Sequence, residues 1–248
     1  MVISNRTDNP FRYQAAGVVS DLHMFCRRSH WRTRLPEIRR AAAACDLFVF
    51  NGDTFDFKWT ELASLAATVD AAIHFLEQLA AECPDTHIHV NLGNHDHHHR
   101  FITALENLCA RTPNLTWHPY FLRVDNTLFL HGDATMQPPS QRQLERYRGT
   151  WLHRPRAGRW KGHLYDVLFA VRVPLALSRI AFLPHTRTLR RLTRYLEDIG
   201  HSEREGIRHV YFGHTHVPVR GRRYRGVWFH NGGAPMRGMP FQVLRANL

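Results

Sequence analysis

Short polar segments rich in acids, amides and imidazoles follow apolar runs in this 248-residue chain, and this recurrence constrains its fold most. The apolar runs at residues 15–20, 47–50 and 88–92 have the length and content of buried strands. Helical patterns separate them, and the order strand, helix, strand, helix, strand implies right-handed crossovers and a largely parallel sheet. The polar segments therefore lie at the C-terminal ends of strands.

Three helices are predicted in this first half. The first runs over 36–44, because Pro36 is well placed in a first turn. The second covers 60–82, where the apolar positions follow helical spacing, and Pro84 ends it. The third spans about 101–110.

The second half is richer in short strands. Strand candidates at 120–124 and 127–130 are joined by Asp125-Asn126, which predicts a two-residue hairpin turn. Further strands are predicted at 210–212, 217–220, 227–231 and 241–245. We therefore predict an α/β fold, a single domain of residues 1–248 with two stacked mixed sheets flanked by helices.

Residues 134–209 interrupt this pattern and are predicted to form an inserted helical cap. Helical stretches lie near 141–152, 163–182 and 186–199. The segment holds 15 Lys+Arg and 6 Asp+Glu, a net of +9 out of the +12 of the whole chain. A field of this sign favours anionic partners.

The last helix of the cap has an apolar stripe flanked by arginines, and two interpretations of it stay open. Such a helix can lie on an anionic membrane surface. Alternatively, the stripe packs on a neighbouring element and the arginines are solvated. The stripe consists of Leu189, Leu192, Leu196 and Ile199.

The polar segments together supply ligands for metal ions. Open α/β folds place their ligand sites at the C-terminal ends of strands. A set of Asp, Asn and His without cysteine suits manganese, iron or zinc, and it is large enough for two ions if Asp53 bridges them. The candidate ligands are Asp21, His23, Asp53, Asn94, His131, His214 and His216.

Five motifs occur in register between Asp21 and His216: D-x-H, G-D-x-x-D, G-N-H-D, H-G-D and G-H-x-H. In this order they resemble the calcineurin-like metallophosphoesterases. The resemblance implies a β-sandwich fold and a dinuclear centre, with manganese as the favoured metal and iron or zinc as alternatives. It assigns one ion to Asp21, His23, Asp53 and His216, and the other to Asp53, Asn94, His131 and His214.

The same resemblance gives roles to residues beside the metals. It implies that His95 faces the scissile phosphoester, as a general acid or a stabiliser of developing charge, and that Asp96 orients His95. A carboxylate beside an imidazole favours its protonated form. Asp56 and Asp133 are expected to fix ligand histidines or to close their loops.

The basic, partly apolar cap resembles that of the UDP-2,3-diacylglucosamine pyrophosphatases, although those enzymes usually have arginine in place of His95. The resemblance implies an anionic, lipid-linked substrate. Its phosphates would be held by Arg154, Arg156, Arg159 and Lys161. Its acyl chains would lie against Val167, Phe169, Val171, Leu175 and Phe182.

Two other function classes remain open. A nuclease or cyclic-nucleotide phosphodiesterase would use the basic cap on phosphates and stack bases on Trp151 and Trp160. A non-catalytic scaffold would be expected to lack some ligands, whereas here every position is filled. Four cysteines without a C-x-x-C pair, and a polar N-terminus at residues 1–10, predict a reduced cytoplasmic setting, with peripheral membrane contact through the cap.

Overall fold

The computed structural model describes residues 13–136, 139–157 and 185–248. Over these residues the chain forms two five-stranded sheets with helices outside them. The predicted α/β fold with two stacked mixed sheets is therefore confirmed. The predicted division into one domain with residues 134–209 as an insert stays a prediction.

The first sheet contains the parallel strands that carry the N-terminal motifs. It has the strand order β10-β1-β2-β3-β4, with β1 to β4 parallel and β10 antiparallel to β1. Its strands are β1 (Ala15–Val19), β2 (Leu47–Asn51), β3 (His87–Asn91), β4 (Leu115–His118) and β10 (Leu244–Asn247).

The second sheet is mixed and has the order β5-β6-β7-β9-β8. Its strands are β5 (Phe121–Val124), β6 (Thr127–Leu130), β7 (His209–Phe212), β8 (Val219–Tyr224) and β9 (Val227–Asn231). Strands β5 and β6 are antiparallel, with Val124 opposite Thr127, and Asp125 between them has φ 48°. This confirms the predicted hairpin turn.

The two sheets pack face to face. Val18 and Val49 of the first sheet share a buried cluster with Phe129 and Tyr211 of the second. The rings of Phe129 and Tyr211 stack with their centroids 5.3 Å apart. Burial of these side chains holds the sheets together, so that strand ends of both sheets reach one edge of the sandwich.

The outer faces of the sheets are covered by helices. Three pack on the first sheet: α1 (Trp31–Ala42), α2 (Leu65–Glu82) and α3 (His99–Cys109). Two lie against the second sheet: α4 (Gln141–Gly149) and α5 (His185–Asp198). Ser64 caps α2, since its hydroxyl accepts a hydrogen bond from the amide of Ala67 at 3.0 Å.

Several predicted boundaries are wrong. Helix α1 begins five residues before Pro36, because Trp31 packs against Phe25 with ring centroids 5.6 Å apart and anchors the first turn in the core. Helix α2 begins only after its Ser64 cap. Strand β4 was not predicted from the sequence, and Leu115 within it pairs with Ile88 of β3.

Helix α5 resolves the choice between membrane contact and internal packing. Its apolar residues Leu189, Leu192 and Leu196 are buried against the second sheet. Of the two interpretations, internal packing is therefore the one that holds, because the stripe forms part of the core. No helix in the described ranges is long and apolar enough to cross a membrane. The helix predicted near 163–182 lies outside the described residues.

A buried ion pair joins α4 to the end of β6. Arg148 donates two hydrogen bonds of 2.8 Å to the carboxylate of Asp133, and both side chains are 1% exposed. Arg148 also donates to the carbonyl of Pro119. A fork of this kind fixes both distance and orientation, so α4 is held against the loop that follows His131.

We predict that Arg148→Ala lowers the free energy of unfolding by about 3 to 5 kcal/mol, because it leaves the Asp133 carboxylate buried without its partner. Denaturant unfolding measures this loss. The matched control is Arg146→Ala, an exposed arginine of the same helix, for which we expect a change within about 0.5 kcal/mol. Equal effects of the two substitutions would contradict the structural role of the pair.

Candidate metal centre

Strand ends of both sheets meet at one site. Asp21 follows β1, Asp53 follows β2, Asn94 follows β3, His131 follows β6 and His214 follows β7. Backbone hydrogen bonds join the loops, since the amide of Asp21 donates to the Gly52 carbonyl at 3.0 Å. The carboxyl ends of neighbouring parallel strands thus bring together side chains that are far apart in sequence.

The first group of possible ligands consists of Asp21, His23 and His216. His216 Nε2 lies 3.3 Å from Asp21 Oδ1 and 3.2 Å from His23 Nε2. Asp53 Oδ2 lies 3.8 Å from His23 Nε2, next to this group. These are the four residues predicted to hold one ion.

The second group consists of Asp53, His131 and His214. His131 Nε2 lies 3.3 Å from Asp53 Oδ2 and 3.2 Å from His214 Nδ1. One carboxylate oxygen, Asp53 Oδ2, therefore contacts imidazoles of both groups. This is the position that a bridging ligand requires.

Asn94 provides a test of whether this site fits metal ions. Its side chain is 3% exposed, and its Oδ1 accepts no hydrogen bond from the described residues. A buried amide oxygen without a partner costs free energy, and a cation would satisfy it. The site thus offers nitrogen and oxygen donors in two adjacent groups, so the residues present fit two divalent ions.

The backbone at the site is strained in the way that functional loops often are. Eight described non-glycine residues have positive φ, and five of them are predicted ligands: Asp21, His23, Asp53, His214 and His216. The left-handed region costs about 1 to 2 kcal/mol per residue. The surrounding fold must offset this cost to aim the five side chains at one place.

The protonation of the histidines also suits cation binding. Burial lowers the pKa of His23, and it lowers the pKa of His214 to about 4, so both imidazoles are neutral at neutral pH. Burial acts in the same direction on His131, but Asp53 and Asp21 outweigh it and raise the pKa of His131 to about 10. A pocket that draws a proton onto His131 has excess negative charge, which a divalent ion would neutralise.

His95 lies beside the metal ligands and is paired with Asp56. Its Nδ1 is 3.2 Å from Asp56 Oδ1, while Asp56 Oδ2 is 3.3 Å from His23 Nδ1. Burial favours the neutral imidazole, but Asp56 and then Asp53 raise the pKa of His95 above its usual value. The Asp56 carboxylate therefore contacts both His23, a predicted metal ligand, and His95, the predicted general acid.

The carboxylate beside His95 is thus that of Asp56, not that of Asp96 as predicted. Asp96 Oδ1 accepts from the Gly93 amide at 2.5 Å, and Asp96 Oδ2 accepts from the Thr54 amide at 2.8 Å. Burial, followed by Asp53, raises the pKa of Asp96 to about 7. Because both its oxygens face backbone amides, Asp96 joins the loops after β2 and β3.

Of the cations predicted to bind phosphate, two are described and two are not. Arg154 lies 4.2 Å from the ring centre of Trp151, and that ring lies 4.8 Å from the ring of His95. Arg156 donates to the carbonyl of Ala63 at 2.7 Å, which gives it a structural contact. Arg159 and Lys161 lie outside the described residues, as does the predicted acyl groove.

Sequence reasoning missed two asparagines below the site. Asn51 Nδ2 donates to the carbonyls of Leu130 and Tyr211, and Asn91 Nδ2 donates to Asn51 Oδ1 and the Phe129 carbonyl, all at 2.9 to 3.0 Å. These bonds join the two sheets where the ligand loops begin. The sequence signal for these residues is an asparagine at the end of each of two apolar runs.

Three comparisons relate the chain to known proteins. The family model of the calcineurin-like phosphoesterases matches residues 16–218. No curated protein matches the chain. Among solved structures, a dimetal phosphatase from Danio rerio is 14% identical with a TM-score of 0.44, covering 95% of this chain and 92% of that one. A second structure is 11% identical with a TM-score of 0.43, covering 95% and 99%.

We predict that Gly93→Ala abolishes metal binding. A Cβ at this position would overlap the Asp53 carboxylate and lie 2.5 Å from the Asp53 nitrogen, so the carboxylate must move. Metal content after dialysis measures the effect. Gly149→Ala is the control, since nothing lies within 4 Å of a Cβ there. Full metal content in Gly93→Ala would contradict this placement of Asp53.

Proposed function

Because the chain belongs to the calcineurin-like phosphoesterase family and is a metal-dependent phosphoester hydrolase, we propose that it cleaves its substrate at two ions held at this site. Asp53 would bridge the ions, and His95 would serve the leaving group. The remaining ligands would be Asp21, His23 and His216 on one ion and Asn94, His131 and His214 on the other.

The observation that supports this proposal best is the position of the Asp53 carboxylate. Its Oδ2 lies 3.3 Å from His131 and 3.8 Å from His23, and its Oδ1 accepts a hydrogen bond of 2.7 Å from the His95 amide. The same side chain thus touches both ligand groups and the loop that carries His95. Two ions bound there would polarise the phosphoryl oxygens and lower the pKa of the attacking water.

His95 is suited to protonate the leaving oxygen. Because Nδ1 lies 3.2 Å from Asp56 Oδ1, its Nε2 is the nitrogen that remains for the substrate. The Asp56 charge favours the imidazolium, which supports an acid role. As the phosphorus–oxygen bond breaks, the Nε2 proton would pass to the departing oxygen, and the imidazole would be left neutral. The His95 side chain is 18% exposed, so a substrate can reach it.

We propose manganese, with iron and zinc as alternatives, since a set of nitrogen and oxygen donors without thiolate accepts each of these ions. The chain's four cysteines, all free, are not in the described ligand groups. Burial raises the pKa of Cys26 to about 12, which keeps it protonated. We expect the protein to act in the reduced setting of the cytoplasm.

A lipid-linked phosphoester remains our candidate substrate. Its support is the basic, partly apolar composition of residues 134–209. A nucleic acid or cyclic nucleotide is the alternative, and Trp151 beside His95 is the observation that favours it. Both substrates carry anionic phosphate, and retention of a lipid or a nucleotide by the purified protein, detected by mass spectrometry, would distinguish them.

We predict that Asp53→Ala loses both metal and activity on a generic aryl phosphodiester with added manganese. His95→Ala should keep two metals per chain but lose about 100-fold or more of its turnover, as expected for a general acid. Elemental analysis and steady-state kinetics measure the two effects. His74→Ala, an exposed histidine of α2, is the control and should behave like the unmodified protein. Normal turnover of His95→Ala would rule out its proposed role.

A further inference from the structure

Cations and indole rings alternate in a series of contacts that reaches His95 through Trp151. The Arg28 guanidinium lies 5.1 Å from the ring centre of Trp59, and Lys58 Nζ lies 4.6 Å from that ring. Lys58 Nζ is also 5.3 Å from the ring of Trp151, and the Arg154 guanidinium is 4.2 Å from it. Cation–π contacts of this length are attractive. They join the loop after β2 to the segment after α4.

These contacts are positioned by the carboxylate that orients His95. Asp56 Oδ1 accepts hydrogen bonds from the amides of Lys58 and Trp59, at 3.1 and 2.8 Å. The same oxygen is 3.2 Å from His95 Nδ1. The Trp151 ring packs on the His95 ring, 4.8 Å between centroids. Lys58 and Trp151 therefore lie next to the imidazole assigned to the leaving oxygen.

Two further hydrogen bonds join these segments. The amide of Ala157 donates to the carbonyl of Lys58 at 2.8 Å. The Arg156 guanidinium donates to the carbonyl of Ala63, two residues before α2, at 2.7 Å. These contacts help to bring Arg154 and Lys58 to one indole. Groups arranged in advance in this way bind a ligand at a lower entropic cost.

The side chains of Lys58 and Arg154 place two positive charges near Trp151, and positive charges attract anions. Lys58 and Arg154 are both partly exposed, and no carboxylate among the described residues forms an ion pair with Arg154. An anion beside this indole would be attracted by both cations. Guanidinium and ammonium groups bind phosphate and carboxylate by charge-assisted hydrogen bonds.

We propose that Lys58 and Arg154 form a subsite for a leaving group that carries its own anionic group, a phosphate or a carboxylate, and that Trp151 positions the two cations beside His95. This inference rests on the proposed function, because His95 defines the leaving-group side. It names a substrate class: phosphoesters in which the departing alcohol or phosphate bears a second negative charge.

Three aryl phosphodiesters test the subsite. The reference is phenyl 4-nitrophenyl phosphate. The second carries a carboxylate on the leaving nitrophenol, and the third carries it on the retained phenyl ring. At constant ionic strength, we expect kcat/KM to rise about tenfold or more for the second, as for a hydrogen bond to a charged group, and to stay near the reference value for the third.

Substitutions then locate the effect. Lys58→Gln and Arg154→Gln should each lower the ratio of kcat/KM between the second and first diesters towards one. Trp151→Leu should also lower this ratio, and Trp151→Phe should restore part of it, because an aromatic ring still holds the cations. The control is Arg111→Gln, which removes a positive charge that pairs with Glu77 on the surface and should keep the original ratio.

The outcomes separate the two proposals. If the unmodified, metal-loaded protein hydrolyses none of the diesters, the proposed function and the subsite both fail. If it hydrolyses all three equally, or if Lys58→Gln and Arg154→Gln keep the original ratio, the subsite alone is overturned. A gain from the carboxylate on the retained ring that equals the gain on the leaving ring would also overturn it, because it would show general attraction of anions.

Discussion

The position of one buried carboxylate, Asp53, is the constraint on which the site depends. Its oxygens lie between His23 and His131 and accept a hydrogen bond from the amide of His95. The space for it exists because residue 93 is glycine. Strands β2 and β3 of one sheet and β6 of the other must therefore end at the same edge of the sandwich. The packing between the two sheets determines where these strands end relative to one another.

This arrangement works against stability, and the fold offsets the cost locally. Predicted ligands occupy left-handed backbone, and several carboxylates and imidazoles are buried together. Asn51 and Asn91 hydrogen-bond across the two sheets directly below the ligand loops, while Asp96 ties two of those loops to each other. The buried pair of Asp133 and Arg148 fixes a third loop. The backbone strain at the ligand residues is thus offset by hydrogen bonds and an ion pair among the residues next to the ligand loops.

The sequence predicted the parts that depend on local pattern. Apolar runs predicted most strands, and Asp125-Asn126 predicted the hairpin turn, because strands and tight turns depend on a few neighbouring residues. It could not show that Asp56 rather than Asp96 faces His95. Both carboxylates lie in metal-site motifs, and the conformation of the loops determines which of them lies beside the imidazole. Nor could it place Trp151 on His95, because that contact joins segments 56 residues apart in sequence. The apolar stripe of α5 is compatible with a membrane surface or with the core, and only its packing on the second sheet distinguishes the two.

The central claim is that this edge of the sandwich holds two metal ions bridged by Asp53. Anomalous diffraction from crystals of the manganese-loaded protein tests it most directly. The account predicts two peaks about 3.5 to 4 Å apart, as in two-metal phosphoesterase sites. One should lie among Asp21, His23 and His216, and the other among Asn94, His131 and His214. A single peak, or two peaks that do not share Asp53, would contradict it.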